Sequence, residues 1–308
     1  MSAFTEPLRA RLQETLSGQP TGVPDWVAAF ENGTDAGYFG PGSAVWTVHG
    51  GMPTLVAGVR ALLMQALHPG ALAGVYDWSR YREDPLGRLA GTIRWIFTVS
   101  YGDTRQAEAG SAWVRTLHER VVGDYVDGHG VSRRYAANDA ELASWVHLAF
   151  TDAFLSTHLL WGCPIPGGPD AYVQEWARAG EQMGVVDPPR TYRRLREQLH
   201  AFADEGELRC DDRTREVVHF VRNAPLRRSL RPSYRVLFAG AVRSLEPRFR
   251  GMLGLRTARI AGLPLPVVGA TRVALAGAGL LLGPQTAGEI AARRRLERLG
   301  QPPGVASA

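Results

Sequence analysis

The apolar residues of this chain recur at helical spacing almost from end to end, and that periodicity constrains the fold more than any other feature. "NDAELASWVHLAFTDAFLSTHLLWG" (138–162) reads as a long helix opened by Asn138 or Asp139 and closed by Gly162. "TLVAGVRALLMQALH" reads as another, started at Pro53 and stopped before Pro69, with a short apolar link after it. Asp84 is a good N-cap with Pro85 at the first helical position, and the helix it opens runs through Tyr101 to Gly102. "AEAGSAWVRTLHERVVGDY" predicts a helix from about Gln106 to about Tyr125, and "GPDAYVQEWARAGEQMG" a further one. The pattern continues over 189–203, 211–222, 232–245 and 270–282, and no stretch sustains the period-two alternation of a strand. The expected class is all-α: one helical domain whose elements bury their apolar faces against each other.

Composition excludes several functions. All 35 basic side chains are arginine, so neither a phosphate-loop lysine nor a Schiff-base lysine exists. Ten arginines and one acid, Glu246, lie between Arg222 and Arg259. They are scattered among Leu, Val, Phe and Gly without a nucleic-acid-binding motif, so they read as solvated faces of amphipathic helices, and no nucleic-acid partner is expected. Cys163 and Cys210 have neither zinc spacing nor a disulfide framework, which fits a reducing, cytoplasmic setting. The first residues lack the apolar run of a secretory signal. "LPLPVVGATRVALAGAGLLLG" (263–283) is too short and too interrupted, with Arg272 at its middle, to span a bilayer. It reads as a buried helix with flanking turns, or as an interfacial one.

The chemistry centres on histidine. His118 shares helical spacing with Val114, Val121, Val122 and Tyr125, which places it on an apolar face. Two readings fit: a structural imidazole bonded to a backbone carbonyl, or an axial ligand of a haem. Arg88, Thr92, Trp95 and Val99 also share one face. Burying an arginine is costly unless it is paired. Either Arg88 escapes to water from the first helical turn, or Arg88 and Thr92 point into a polar spot above a cofactor. A non-haem reading uses two ExxH pairs, Glu197/His200 and Glu216/His219, the spacing of di-iron carboxylate bundles. That arrangement needs two more glutamates and an intervening helix, and only a loop-like stretch lies between the pairs. His147 reads as a core or supporting residue.

The segments "GGMPTLVAGVRALLMQALHPGALAGV", "DPLGRLAGT", "VRTLHERVVG" and "YAANDAELASWVHLAFTDAF" resemble, in order and spacing, the MpaB/rubber-oxygenase catalytic domain family. The resemblance covers about residues 35 to 255. It implies an all-α fold with a globin-like core around haem b, and dioxygen-dependent cleavage of carbon–carbon double bonds in apolar, isoprenoid substrates. It implies three portions: an N-terminal helical extension (1–34), the oxygenase domain (35–260), and a C-terminal helix with a loose tail packed on the same domain (261–308). Within the motifs, His118 is similar to the proximal haem ligand and Arg115 to the arginine three residues before it. Arg88 and Thr92 resemble the distal arginine and threonine of the latex clearing branch. The chain departs from that branch at Gly91, where the branch has lysine, and its "DWS" has Trp78 where the family form is "DHS". "HPGALAGV" carries no acid to serve as a base. His68, ending a neighbouring helix, is the candidate to close the iron's sixth position. Its place before Pro69 favours an extended backbone, so an open position is expected. A haem- or lipid-binding module without turnover is the competing function.

Overall fold

The structure, a computed structural model, describes residues 6–17, 22–260 and 263–301. Helices α1 (Glu6–Ser17) and α2 (Asp25–Ala28) and a 3₁₀ turn (Ala29–Asn32) lead into α3 (Ala44–Gly50) and α4 (Thr54–Gln65). Next come α5 (Pro69–Trp78), α6 (Pro85–Tyr101) and α7 (Thr104–His118), then a hairpin of β1 (Val122–Val126) and β2 (Ser132–Ala136). α8 (Ala140–Trp161), α9 (Gly168–Gln182), α10 (Tyr192–Asp204), α11 (Asp212–Arg222), α12 (Arg231–Ser244) and α13 (Pro247–Met252) follow. A two-residue pair, β3 (Arg259–Ile260) with β4 (Leu263–Pro264), precedes α14 (Val267–Leu282) and α15 (Ala287–Arg298). The tail residues 302–308 lie outside the described residues.

α8 is the axis of the molecule. Residues 147–155 are buried without a break, so the middle of the helix is covered on every side. α4 runs against it, with α3, α5, α9, α10 and α12 around the pair, and α14 lies over α12. One ion pair lies in this core: Arg60 on α4 donates to Asp152 on α8, and both are buried. His49 on α3 is equally enclosed, with Nδ1 2.8 Å from Ser100 Oγ and Nε2 3.0 Å from the Tyr172 hydroxyl. Burial, and then the neighbouring His158, push its imidazole down to about 3. α15 closes the other end. Its buried Arg295 donates to the carbonyls of Phe30 and Tyr101, both at 2.9 Å, tying the start of the chain to the end of α6. No single helix among the described residues is long and apolar enough to cross a membrane.

Four expectations need correction. The helix predicted to reach Tyr125 ends at His118, and Val122 and Tyr125 belong to β1. Five residues fit a helical and an alternating pattern equally well. Here Gly123 and the turn 127–131 decide: Asp127 Oδ1 accepts from the backbone N–H of His129 and Val131, and Gly130 takes φ +84°. The link after Pro69 is a helix, α5. Pro69 stops α4 and starts α5, because His68 is the N-cap whose imidazole accepts from the Gly70 N–H. Two short antiparallel pairs exist where no strand was expected. Finally, 263–283 is half-buried: Thr271 and Leu275 of α14 face inward, while Val273 and Leu280 are exposed.

Candidate functional site

α6 and α7 form an antiparallel helical hairpin around a tight turn. Asp103 makes that turn. Its carboxylate accepts from the Gln106 N–H at 2.7 Å while the Gln106 side chain accepts from the Asp103 N–H, a reciprocal cap. Zipping away from it, Thr98 backs onto Gly110, and Trp95 Nε1 donates to Ser111 Oγ at 3.3 Å. One further turn along each helix sets Thr92 opposite Val114, and the next sets Arg88 opposite His118. Burial falls in the same order. Val99, Ala107 and Ser111 are buried, Trp95, Thr92, Val114 and His118 are half-buried, and Arg88 is exposed. The hairpin is therefore closed at its turn and open at the Arg88–His118 end.

The electrostatics agree with that geometry. Arg88 is exposed, yet desolvation by surrounding protein lowers its guanidinium. Arg88 Nη1 donates to Thr92 Oγ1, and Thr92 Oγ1 donates back to the Arg88 carbonyl at 3.3 Å. His118 is held below the usual imidazole range, first by desolvation and second by the Arg88 charge, while the Asn138 side chain acts in the opposite sense by hydrogen-bonding the ring. Asn138 Nδ2 also donates to the Arg115 carbonyl at 3.0 Å, which fixes it to the end of α7. A neutral imidazole with one nitrogen donating to the Asn138 oxygen keeps a lone pair on the other, the form a metal requires. Leu117 precedes His118 on α7 and is exposed, while Trp113, five residues back and on another side of the helix, is 58% exposed. These residues fit a planar apolar cofactor ligated through His118.

Of the two cap candidates, Asn138 and Asp139, it is Asp139 that occupies the cap position of α8, and it accepts from the Ala136 N–H at 2.8 Å. Arg115 is exposed, and its guanidinium has no partner among the described residues. Two other candidates lie apart from this pair. His147 is buried on α8, its ring is backed by Gly180 of α9, its Nε2 has no partner among the described residues, and burial pushes it down to about 4. His68 is buried among Tyr125, Trp145 and Phe202, with its Nδ1 engaged in capping α5, and shares no contact with Arg88 or His118 among the described residues. The two ExxH pairs do not converge. Glu197 pairs with Arg193 and Arg194, while His200 lies 3.0 Å from Glu246 beside a surface depression of about 600 Å³ along α10. Glu216 accepts from Tyr76 and Arg82, and His219 neighbours Asn223. Within the arginine-rich stretch, Arg227 pairs with Glu14 and Arg248 with Asp204.

The fold and this hairpin define a helical protein that offers a neutral imidazole and a guanidinium across one open-ended gap. A family model described as "ER-bound oxygenase mpaB/B'/Rubber oxygenase, catalytic domain" matches residues 46–279, and the chain belongs to that family. No curated protein and no solved structure matches it. The matched span begins in α3 and ends within α14, so it contains both arms of the hairpin and α8.

Proposed function

We propose that the chain is a haem b-dependent oxygenase that oxidises or cleaves an apolar, unsaturated substrate of isoprenoid type, with the haem seated in a globin-like core. The observation that carries this reading is the neutral His118 imidazole facing Arg88 across the open end of the α6–α7 hairpin. His118 would ligate the iron, oriented by Asn138, with the exposed Arg115 available to a cofactor carboxylate. Haem b supplies redox-active iron for dioxygen chemistry. The remaining work falls to the chain's own side chains. Arg88 supplies fixed positive charge and N–H donors where negative charge develops on oxygen. Thr92 is a positioning residue: its hydroxyl accepts from Arg88 and holds the guanidinium along α6. Leu117, the exposed apolar neighbour of His118, offers apolar surface to an isoprenoid chain.

Protein produced with a haem supply should show a Soret band, and His118→Ala should remove it. A colourless wild-type protein overturns the reading. Oxygen uptake against a panel of isoprenoid chains then separates an enzyme from a haem-binding module. Arg88→Ala should keep the Soret band and lower uptake by two to three orders of magnitude, the range for removing a charge-stabilising donor, about 10²–10³-fold. No uptake by the wild type across the panel would favour the module, and equal rates in Arg88→Ala and wild type would overturn the role given to Arg88.

A further inference from the structure

The outward face of α14 reverses the pattern of a solvated helix. Of its exposed positions from Gly269 to Leu280 only Arg272 is polar. Val273 is 74% and Leu280 88% exposed, and they lie about two turns apart on one side of the helix. The one hydroxyl of α14 points the other way. Thr271 is buried where α12 comes close at Gly240, and its Oγ1 has no hydrogen-bond partner among the described residues. A lone exposed leucine is ordinary on a protein surface, whereas a whole outward face of apolar side chains calls for a partner.

The face continues into its neighbours. The β3–β4 pair leads directly into α14, and Ile260, Leu263 and Leu265 are all exposed, Leu263 at 72%. On the flank, Trp161 Nε1 donates to the Val268 carbonyl at 3.0 Å and Arg272 Nη2 reaches the Leu160 carbonyl at 3.5 Å. These contacts set the end of α8 against the start of α14, and Leu159 and Leu160 are exposed there. Charge on these segments is one-sided. No acid occurs between Glu246 and Glu289, and residues 159–169 carry no charge at all. Arg256, Arg259 and Arg272 are exposed within the acid-free stretch.

We propose that this face docks the protein onto the surface of an anionic lipid bilayer, with α14 lying in the plane of the interface. Charge selects a bilayer over a second copy of the chain. The arginines call for an anionic partner, and a second copy would bring the same acid-free surface, so that like charges met. Shape agrees. Lipid tails close around a convex apolar ridge, which a protein partner does only with a matching groove. Arg256, Arg259 and Arg272 would meet headgroup phosphates, while Val273, Leu280, Ile260 and Leu263 enter the acyl boundary. Arginine suits such a border, because its apolar stem lies along hydrocarbon while the guanidinium binds phosphate in a forked contact. The side that an isolated interfacial helix turns to water is here packed on α12. None of these residues belongs to α6 or α7, so the docking face and the haem reading stand or fall separately.

The test uses the full-length protein and co-sedimentation with vesicles, made either of phosphatidylcholine alone or of equal parts phosphatidylcholine and phosphatidylglycerol. Sedimentation equilibrium without vesicles gives the oligomeric state in parallel. Wild type should pellet with the anionic vesicles far more than with the neutral ones, and added salt should weaken the binding. Val273→Asp and Leu280→Asp alter exposed side chains and should keep the circular dichroism of the wild type. Each should weaken binding by about tenfold or more, the worth of burying one such side chain. Arg259→Gln and Arg272→Gln should each weaken binding to anionic vesicles about fivefold, the contribution of one arginine at a charged membrane surface. Arg193→Gln makes the same change of charge on exposed α10, away from this face, and should bind like the wild type. Wild type that stays in solution with both kinds of vesicle overturns the proposal. So do Asp variants that bind like the wild type, and so does an equal loss in Arg193→Gln. A wild-type dimer that Leu280→Asp splits would give the face to a second copy of the chain instead.

Discussion

Arg88 and His118 illustrate how one side chain sets the state of another. The guanidinium charge is the second cause, after desolvation, of the lowered His118 imidazole. Removing it as Arg88→Gln leaves the desolvation and the Asn138 hydrogen bond in place. The His118 pKa in the cofactor-free chain should therefore rise, as followed by imidazole NMR resonances through a pH titration. An unchanged or lower value would mean that the two groups do not face one another. The shared face of Arg88 and Thr92 was legible in the sequence, because helical arithmetic holds along α6, whereas for His118 only the spacing to Val114 survives, since Val121, Val122 and Tyr125 lie beyond the end of α7. Asn138 entered only as one of two cap candidates for α8. Its contact with α7 depends on the β1–β2 hairpin turning the chain back, and no local pattern reports that.

At the scale of an element, α6 is the clearest case of sequence and structure agreeing, from the Asp84 cap through Pro85 to Gly102. One residue within it works against the helix. Gly91 is exposed, and a Cβ built there would meet nothing within 4 Å. Gly91→Ala should therefore stabilise the protein by about 0.8–1 kcal/mol, the helix-propensity difference between the two residues. Chemical denaturation would measure it, and a destabilised variant would show that the backbone at Gly91 is approached by something the open surface does not reveal. α7 and its sequel were misread because helix and strand periodicities coincide over so short a run. Tertiary packing decided between them. Tyr135 is buried against Ala73 and Leu142, with Val121 and Tyr125 alongside, so the hairpin is fixed by α5 and α8 rather than by its own propensity.

Across the whole molecule, buried neutral histidines make stability depend on pH. His49 and His147 titrate at about 3 and about 4 in the folded chain, against 6.5 for an unperturbed imidazole. Between roughly pH 6.5 and 4 the unfolded chain binds both protons and the folded chain neither, so stability falls as pH falls. Each imidazole contributes about 1.4 kcal/mol per pH unit in that window, about 2.7 for the two. Denaturation midpoints at pH 7, 5.5 and 4.5 should fall accordingly, and calorimetry near pH 5.5 should show uptake of about two protons or more on unfolding. A flat profile between pH 7 and 5 would mean that water or ligands hold these rings in their charged form.

The sequence alone determined the fold class, the caps of α6, the ends of α8 and the face that Arg88 and Thr92 share. All of these follow from interactions within a few residues along one helix, where spacing and caps act directly. Only the tertiary structure decided that the α6–α7 hairpin is closed at Asp103 and open at His118, that His68 lies among Tyr125, Trp145 and Phe202 rather than in the α6–α7 gap, and that the two ExxH pairs never meet. Those outcomes depend on which distant surfaces bury each other, and burial is a property of the assembled core, not of any segment that enters it.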